Sequence, residues 1–142
     1  MTVNFIPYAP EHLLLLDVPP AQQAKIDHAM ASGRARLAAN SYAWTGIADG
    51  RVIGCGGLIT QDPHRALAWV TLGIVPRRAW VAIVRKIAVV LATGPRRIEA
   101  AVKDGFENGC RLVDLLGFTR EGVMHGWGAD GSDFVLFARV QP

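Results

Sequence analysis

The residues with the clearest chemical promise lie in LAWVTLGIVPRRAWVA, Leu67–Ala82. An apolar run ends at Val75, Pro76 follows, and two adjacent arginines, Arg77 and Arg78, open a helical pattern. Pro76 suits a helix start, because its missing N–H would have no intrahelical partner there. The first N–H groups of a helix carry partial positive charge, and two guanidinium groups add full charge. Strand, turn and basic helix start together outline a site for an anion such as phosphate. The same residues also describe a core strand leading into an amphipathic helix whose arginines face water. The run Leu67, Trp69, Val70, Leu72, Ile74, Val75 is too continuously apolar for a half-exposed strand and predicts one covered on both faces.

The chain offers little other ready-made chemistry. Cys55 and Cys110 are isolated, without metal-ligand spacing, and read as free thiols of a reducing cytoplasm. A net charge of +3 suits a small polyanionic ligand better than nucleic acid, which calls for a denser basic face. With 142 residues, 51% of them hydrophobic and 19% charged, a single globular domain over 1–142 is expected. No apolar run reaches the roughly 18 residues of a membrane span, and no basic-then-apolar leader opens the chain. The expectation is a cytoplasmic protein that binds neither nucleic acid nor membrane.

The elements that must position these residues follow in order. Thr2–Tyr8 predicts a strand, ended by Pro7. Pro10–Asp17 predicts a short helix, and a second, surface helix runs from Pro20 to about Ala31; Arg34–Ser41 stays undecided. Tyr42–Ile47 and Val52–Ile59 form a hairpin around Asp49-Gly50. Gly54, Gly56 and Gly57 signal a bulge or a close backbone approach. The Leu67–Val75 strand follows a turn at Gln61–Arg65. A helix from Pro76 to Thr93 packs on a sheet, or on a second subunit, through Trp80, Ile83, Val84 and Ile87. Gly94-Pro95 ends it. Arg97–Lys103 is a strand, Asp104–Leu116 a helix capped by Gly117. A strand containing Phe118, Val123 and Met124 reaches Trp127, and Asp133–Val140 closes the sheet. The resulting β-α-α-β-β-β-α-β-α-β-β order predicts an α/β (α+β) protein with a mixed sheet and helices on both faces.

This order, together with RIEAAV, LLGFTREGVMHGW and DGSDFVLFARV, resembles the Gcn5-related N-acetyltransferase (GNAT) family over about Tyr42 to Val140. The resemblance is most specific at Leu116-Gly117-Phe118 with Glu121-Gly122. It implies a twisted, mostly antiparallel sheet of six or seven strands, acetyl-CoA as cofactor and an amine as acceptor. It further implies that Leu72, Gly73 and Ile74 run along the pantetheine, one of their N–H groups facing the oxyanion. Arg77, Arg78, Val81 and Ala82 would then hold the pyrophosphate. The family's loop resembles Arg/Gln-x-x-Gly-x-Gly/Ala, and here Trp80 takes the central glycine's place. The helix before Gly117 also departs from the family: Phe106, Gly109 and Val113 stand where an Asn, a Ser and a proton-donating Tyr are usual. Acetyl transfer also needs a proton acceptor. Glu99 and His125 are the leading candidates, with His64 and Asp62 behind them. A closer likeness is to GNAT-like proteins of tailed bacteriophages, which implies the alternative of a catalytically silent virion or assembly component. A third reading makes the apolar helix and the four tryptophans a homodimer interface.

Overall fold

The structure, a computed structural model, describes residues 2–39 and 41–142. Its strands are β1 (Val3–Pro7), β2 (Tyr42–Ala48), β3 (Arg51–Asp62), β4 (Arg65–Leu72), β5 (Arg97–Lys103), β6 (Thr119–Met124) and β7 (Phe134–Val140). Its α-helices are α1 (Pro20–Ser32), α2 (Arg34–Ala38), α3 (Trp80–Ala92) and α4 (Glu107–Leu115); 3₁₀ turns span Pro10–Leu15 and Arg77–Ala79. The strands form one seven-stranded sheet in the order β1-β2-β3-β4-β5-β7-β6. β4 and β5 pair in parallel from Arg65↔Arg97 to Leu67↔Glu99, whereas β1–β2, β2–β3, β5–β7 and β6–β7 are antiparallel. The mixed α/β sheet expected from the element order is therefore present. Contacts divide the chain into two compact units: Met1–Ile59 with Trp69–Ala92, and Thr60–Ala68 with Thr93–Pro142.

In the first unit the β2–β3 hairpin turns through Asp49 and Gly50, both at positive φ (52° and 74°). That backbone matches the right-handed twist of the flanking strands, which is why Asp-Gly is favoured there. The pleat sends alternate side chains to opposite faces. Thr45 and Cys55 face a core of Tyr8, Leu13, Leu16, Ile26, Ala35 and Ala38, drawn from the first 3₁₀ turn and the residues flanking it, α1 and α2. Gly46 faces the other way, where a Cβ would come within 3.4 Å of Ile83 on α3. Helices thus cover both faces of this unit. α2 fills part of the stretch that sequence left open, after Gly33 breaks from α1 at φ 83°; Asn40 lies outside the described residues.

The glycines of β3 serve close approach. A Cβ on Gly57 would meet the Tyr42 carbonyl oxygen and the Ala43 backbone, whereas one on Gly122 in β6 meets nothing within 4 Å. Gly57→Ala is therefore expected to cost about 2 kcal/mol or more by overpacking. Gly122→Ala should be neutral or add up to about 1 kcal/mol by stiffening the unfolded chain. Chemical denaturation of the two variants separates these outcomes, and equal stabilities would refute the close-approach account.

The buried side of this unit carries two weak acids. Tyr8 donates from its hydroxyl to the Ala35 carbonyl at 2.9 Å, and Cys55 lies 3.5 Å from the Thr45 hydroxyl. Burial pushes the Tyr8 phenol up to about 12 and the Cys55 thiol up to about 11. Both groups fold in their neutral forms, so their contribution is complete below the ordinary values of 10.0 and 9.0 and is lost as pH rises through the folded ones. Stability measured by denaturant unfolding should hold up to about pH 9 and fall between there and about 12. A Tyr8→Phe, Cys55→Ala variant should fall less steeply; an identical slope would remove these two groups as the cause.

Two expectations need correction. β4 ends at Leu72 rather than Val75, and Leu67, Val70 and Ile74 are exposed, so the run is not covered on both faces within the chain. In α3 the buried stripe is Ile83, Val90 and Leu91, spaced i, i+7, i+8, with Trp80 40% exposed at the first turn.

In the second unit Ile98, Ala100 and Val102 form the buried face of β5, against which α4 packs at Gly109. α4 starts later than Asp104 because Gly105, at φ 86°, turns the chain first. It ends in a Schellman motif: Phe118 N–H donates to Val113 O at 2.9 Å and Gly117 N–H to Asp114 O at 3.0 Å, with Gly117 left-handed at φ 87°.

Candidate functional site

The strand end and helix start singled out by sequence both lie in the first unit. Gly73 donates its N–H to Ile53 O at 3.0 Å, and Ile74 donates its N–H to Asp17 O at 3.1 Å. Gln22 on α1 donates from Nε2 to the Leu72 carbonyl at 3.2 Å. Gly73 is needed there, because a Cβ would sit 3.0 Å from Asp17 O and 3.2 Å from its nitrogen. Of the three amides considered for an oxyanion, those of Gly73 and Ile74 are thus already used as donors. Asp17 and Gln22 were not foreseen, since no local pattern ties them to backbone groups fifty or more residues away.

Beyond the strand, Pro76 adopts φ −56°, ψ 140°, and the Ala79 N–H closes the 3₁₀ turn onto Pro76 O at 2.8 Å. Arg77 and Arg78 are exposed and, among the described residues, neither makes an ion pair. Their backbone N–H groups fall at the leading edge of the helix, where no intrahelical acceptor exists. Trp80 has ordinary helical dihedrals (φ −58°, ψ −42°), a backbone that does not call for glycine. Val81 is exposed and Ala82 half-buried. With no ion-pair partner among the described residues, these two guanidinium groups could hold an anion such as a phosphate, whereas the strand end has two of its amides engaged.

Glu99, in the second unit, is held by two arginines. Arg97 Nε donates to its Oε2 at 2.7 Å, and Arg65 Nη1 lies 3.5 Å from Oε1. Arg97 also grips Glu121 with both Nη atoms, at 3.0 and 2.5 Å. Glu121 occupies a register shift between Arg120 and Gly122, the extra residue of a bulge in β6. Arg97 holds the Glu121 carboxyl below the usual carboxylate range. This network crosses β4, β5 and β6 as a brace and engages both carboxylate oxygens of Glu99. Nearby, Asp62 accepts the His64 N–H at 2.8 Å and lies 3.7 Å from Arg65. An open cleft of about 660 Å³ is lined by Asp62, Pro63, His64, Arg65, Arg96 and Arg97.

His125 is 81% exposed, with Nδ1 3.0 Å from Asp133 Oδ2. The other Asp133 oxygen accepts the Gly126 N–H at 2.9 Å. At the N-cap of α4 Phe106 is exposed, and on the helix Gly109 lies tight against Val102 and Val113 is buried; none of the three side chains can donate a proton. Cys110 is half-buried, and the buried, raised-pKa Cys55 is a poor nucleophile at neutral pH.

No protein-family profile matches this chain, and no curated relative does. Solved structures do. The chain is similar to Ard1 from Thermoplasma volcanium at a TM-score of 0.75 and 13% identity, covering 100% of this chain and 99% of that one. It is similar to a GNAT family acetyltransferase from Elizabethkingia anophelis with acetyl-CoA bound (TM-score 0.68, 14% identity, 98% of each chain). A third likeness is to a spermidine N-acetyltransferase SpeG chimera from Vibrio cholerae and hSSAT, at TM-score 0.68 and 15% identity over 97% and 95%. The fold is that of the GNAT acetyltransferases. At these identities the likeness defines fold alone, and it leaves the tailed-phage resemblance without support. Among the described residues, no helix is long and apolar enough to cross a membrane.

Proposed function

We propose that this protein binds acetyl-CoA at the end of β4 and the start of α3, and transfers the acetyl group to an amine. The observation that carries the reading is the pair Arg77-Arg78, exposed and without an ion pair among the described residues, at the helix start that follows β4 after a four-residue connection in a GNAT fold. Acetyl-CoA would supply an acyl group already activated as a thioester. This chain would supply the cationic grip on the phosphates, with Val81 and Ala82 beside it and Leu72–Ile74 along the pantetheine. Glu99 and His125 are the proposed proton acceptors. The two differ in readiness: Glu99 is bound by two arginines, while His125 is open to solvent. With Val113 buried where the family keeps a proton donor, the leaving thiolate must take its proton from water. We therefore expect turnover to be slow, since a general acid is worth about 10²–10⁴-fold.

Calorimetric titration with acetyl-CoA, followed by thiol release across polyamines, amino acids, peptides and aminoglycosides, tests the reading. Saturable binding with measurable acetylation of one class is the expected result. Absence of binding refutes it. Turnover above about 1 s⁻¹ would refute the expectation of a slow site.

A further inference from the structure

We propose that residues 16–22 form a strap over the end of β4, and that acetyl-CoA must displace this strap in order to bind. The proposal rests on the acetyl-CoA reading above and adds a regulation of that same site. Every residue it uses belongs to the first unit.

The strap holds backbone groups that a ligand along the strand end would need. Gly73 donates its N–H to Ile53 O at 3.0 Å and so serves the neighbouring strand β3. Leu72 and Ile74, one residue to either side, turn polar groups onto the strap instead. The Ile74 N–H donates to Asp17 O at 3.1 Å, and Gln22 Nε2 donates to Leu72 O at 3.2 Å. Packing between the two segments is close as well: a Cβ on Gly73 would lie 3.0 Å from Asp17 O and 3.4 Å from Leu16 Cδ2. A backbone N–H is a single donor. While Asp17 holds it, Ile74 has no N–H to give to a pantetheine carbonyl or to an oxyanion. The Leu72 carbonyl keeps a second lone pair, but the Gln22 amide lies against it.

One end of the strap is anchored and the other is lightly held. Leu13 and Leu16 are buried, and the 3₁₀ turn that carries Leu13 is tied to β2 through His12. Ala9 donates its N–H to His12 Nδ1 at 3.1 Å, which makes that nitrogen an acceptor. The Thr45 hydroxyl, 2.8 Å away, therefore donates to it too. Beyond Leu16 the hold weakens. Asp17 is exposed, Pro19 is extended at φ −62° and ψ 157°, and neither Pro19 nor Pro20 has an N–H to tie it back. In α1, which follows, Ile26 is the one buried residue. Segments with so few buried apolar contacts open at low cost, without unfolding the rest. A swing about Leu16 would release Ile74 while the 3₁₀ turn and its core contacts stay in place.

This arrangement inverts the usual effect of losing a contact. Only the open form offers the Ile74 N–H, so the apparent dissociation constant is the intrinsic one divided by the open fraction. Loosening the strap should tighten binding.

Gln22→Ala tests this, because it removes the side-chain hold on β4 and puts a good helix former in its place. Calorimetry should find acetyl-CoA bound about 2- to 12-fold more tightly than by the parent, the range set by one net hydrogen bond, at unchanged melting temperature. Gln23→Ala, which loses only a bond to Asp27 on the same helix, should bind as the parent does. In hydrogen exchange of the full chain, saturating acetyl-CoA should speed exchange across residues 13–23. A ligand that docked beside a closed strap would slow it. Affinity unchanged or weakened in Gln22→Ala, or exchange in that segment slowed or unaltered by acetyl-CoA, overturns the strap and leaves the cofactor reading standing. Absence of acetyl-CoA binding in parent and variant alike removes both.

Discussion

Replacing Arg77 and Arg78 together by alanine is expected to weaken acetyl-CoA binding by about 10- to 150-fold, measured by calorimetry. Charge-assisted contacts to phosphate contribute about 1.5–3 kcal/mol in sum at an exposed site, which corresponds to that range. Both side chains are exposed and, among the described residues, without ion pairs, so their removal leaves no buried charge behind and should not change the melting temperature. The contribution is electrostatic and screened, so the parent's affinity should fall with added salt and the variant's should fall less. Binding that is tight, salt-insensitive and unaltered in the double variant would rule out this helix start as the phosphate site.

Ile83→Asp is expected to abolish the folded state, and Ile83→Ala to lower the melting temperature by about 6–15 °C. Ile83 is 0% exposed and lies on α3 against the Gly46 face of the sheet. Truncation there loses about 2–5 kcal/mol through the missing methyl groups and the cavity left behind. A chain of this size shifts by roughly 3 °C per kcal/mol. Asp adds an unpaired carboxylate in an apolar layer, a cost several times the stability left over in an ordinary domain. By contrast Val89→Asp, at an exposed position of the same helix, should fold normally. If Ile83→Asp melts like the parent, or Val89→Asp fails to fold, the packed face of α3 has been misassigned.

Much of the secondary structure was legible because it depends on neighbours in sequence. Asp49-Gly50 announces its hairpin, since its positive φ angles are what such a turn requires. Gly117 announces the end of α4 for the same reason. The strand from Arg97 to Lys103 is legible as such, and within it Ile98, Ala100 and Val102 are the buried set. Where the pattern is ambiguous the structure differs from it. A continuous apolar run such as Leu67–Val75 states that burial would be favourable but not that a second layer exists to provide it. In α3, apolar residues on nearly every side leave the packed stripe undetermined, and Trp80, expected on the packed face, is 40% exposed.

The candidate site divides along the same line. Sequence by itself determined the basic helix start, because Pro76, Arg77 and Arg78 are consecutive and their chemistry needs nothing distant. It also showed that Phe106, Gly109 and Val113, the positions the family resemblance points to, carry no proton donor, since residue type decides that once the positions are chosen. Only the tertiary structure decided which of the candidate bases is encumbered. Glu99 is clamped by Arg97, two residues away on its own strand, and by Arg65 on the parallel neighbour. His125 meets Asp133 only because β6 and β7 pair in one register. Likewise, the donors at the end of β4 were spent by Ile53 and Asp17, partners that the fold brings in from other strands and turns. Residue types fix what each group can do, whereas long-range pairing fixes which groups are left free to do it.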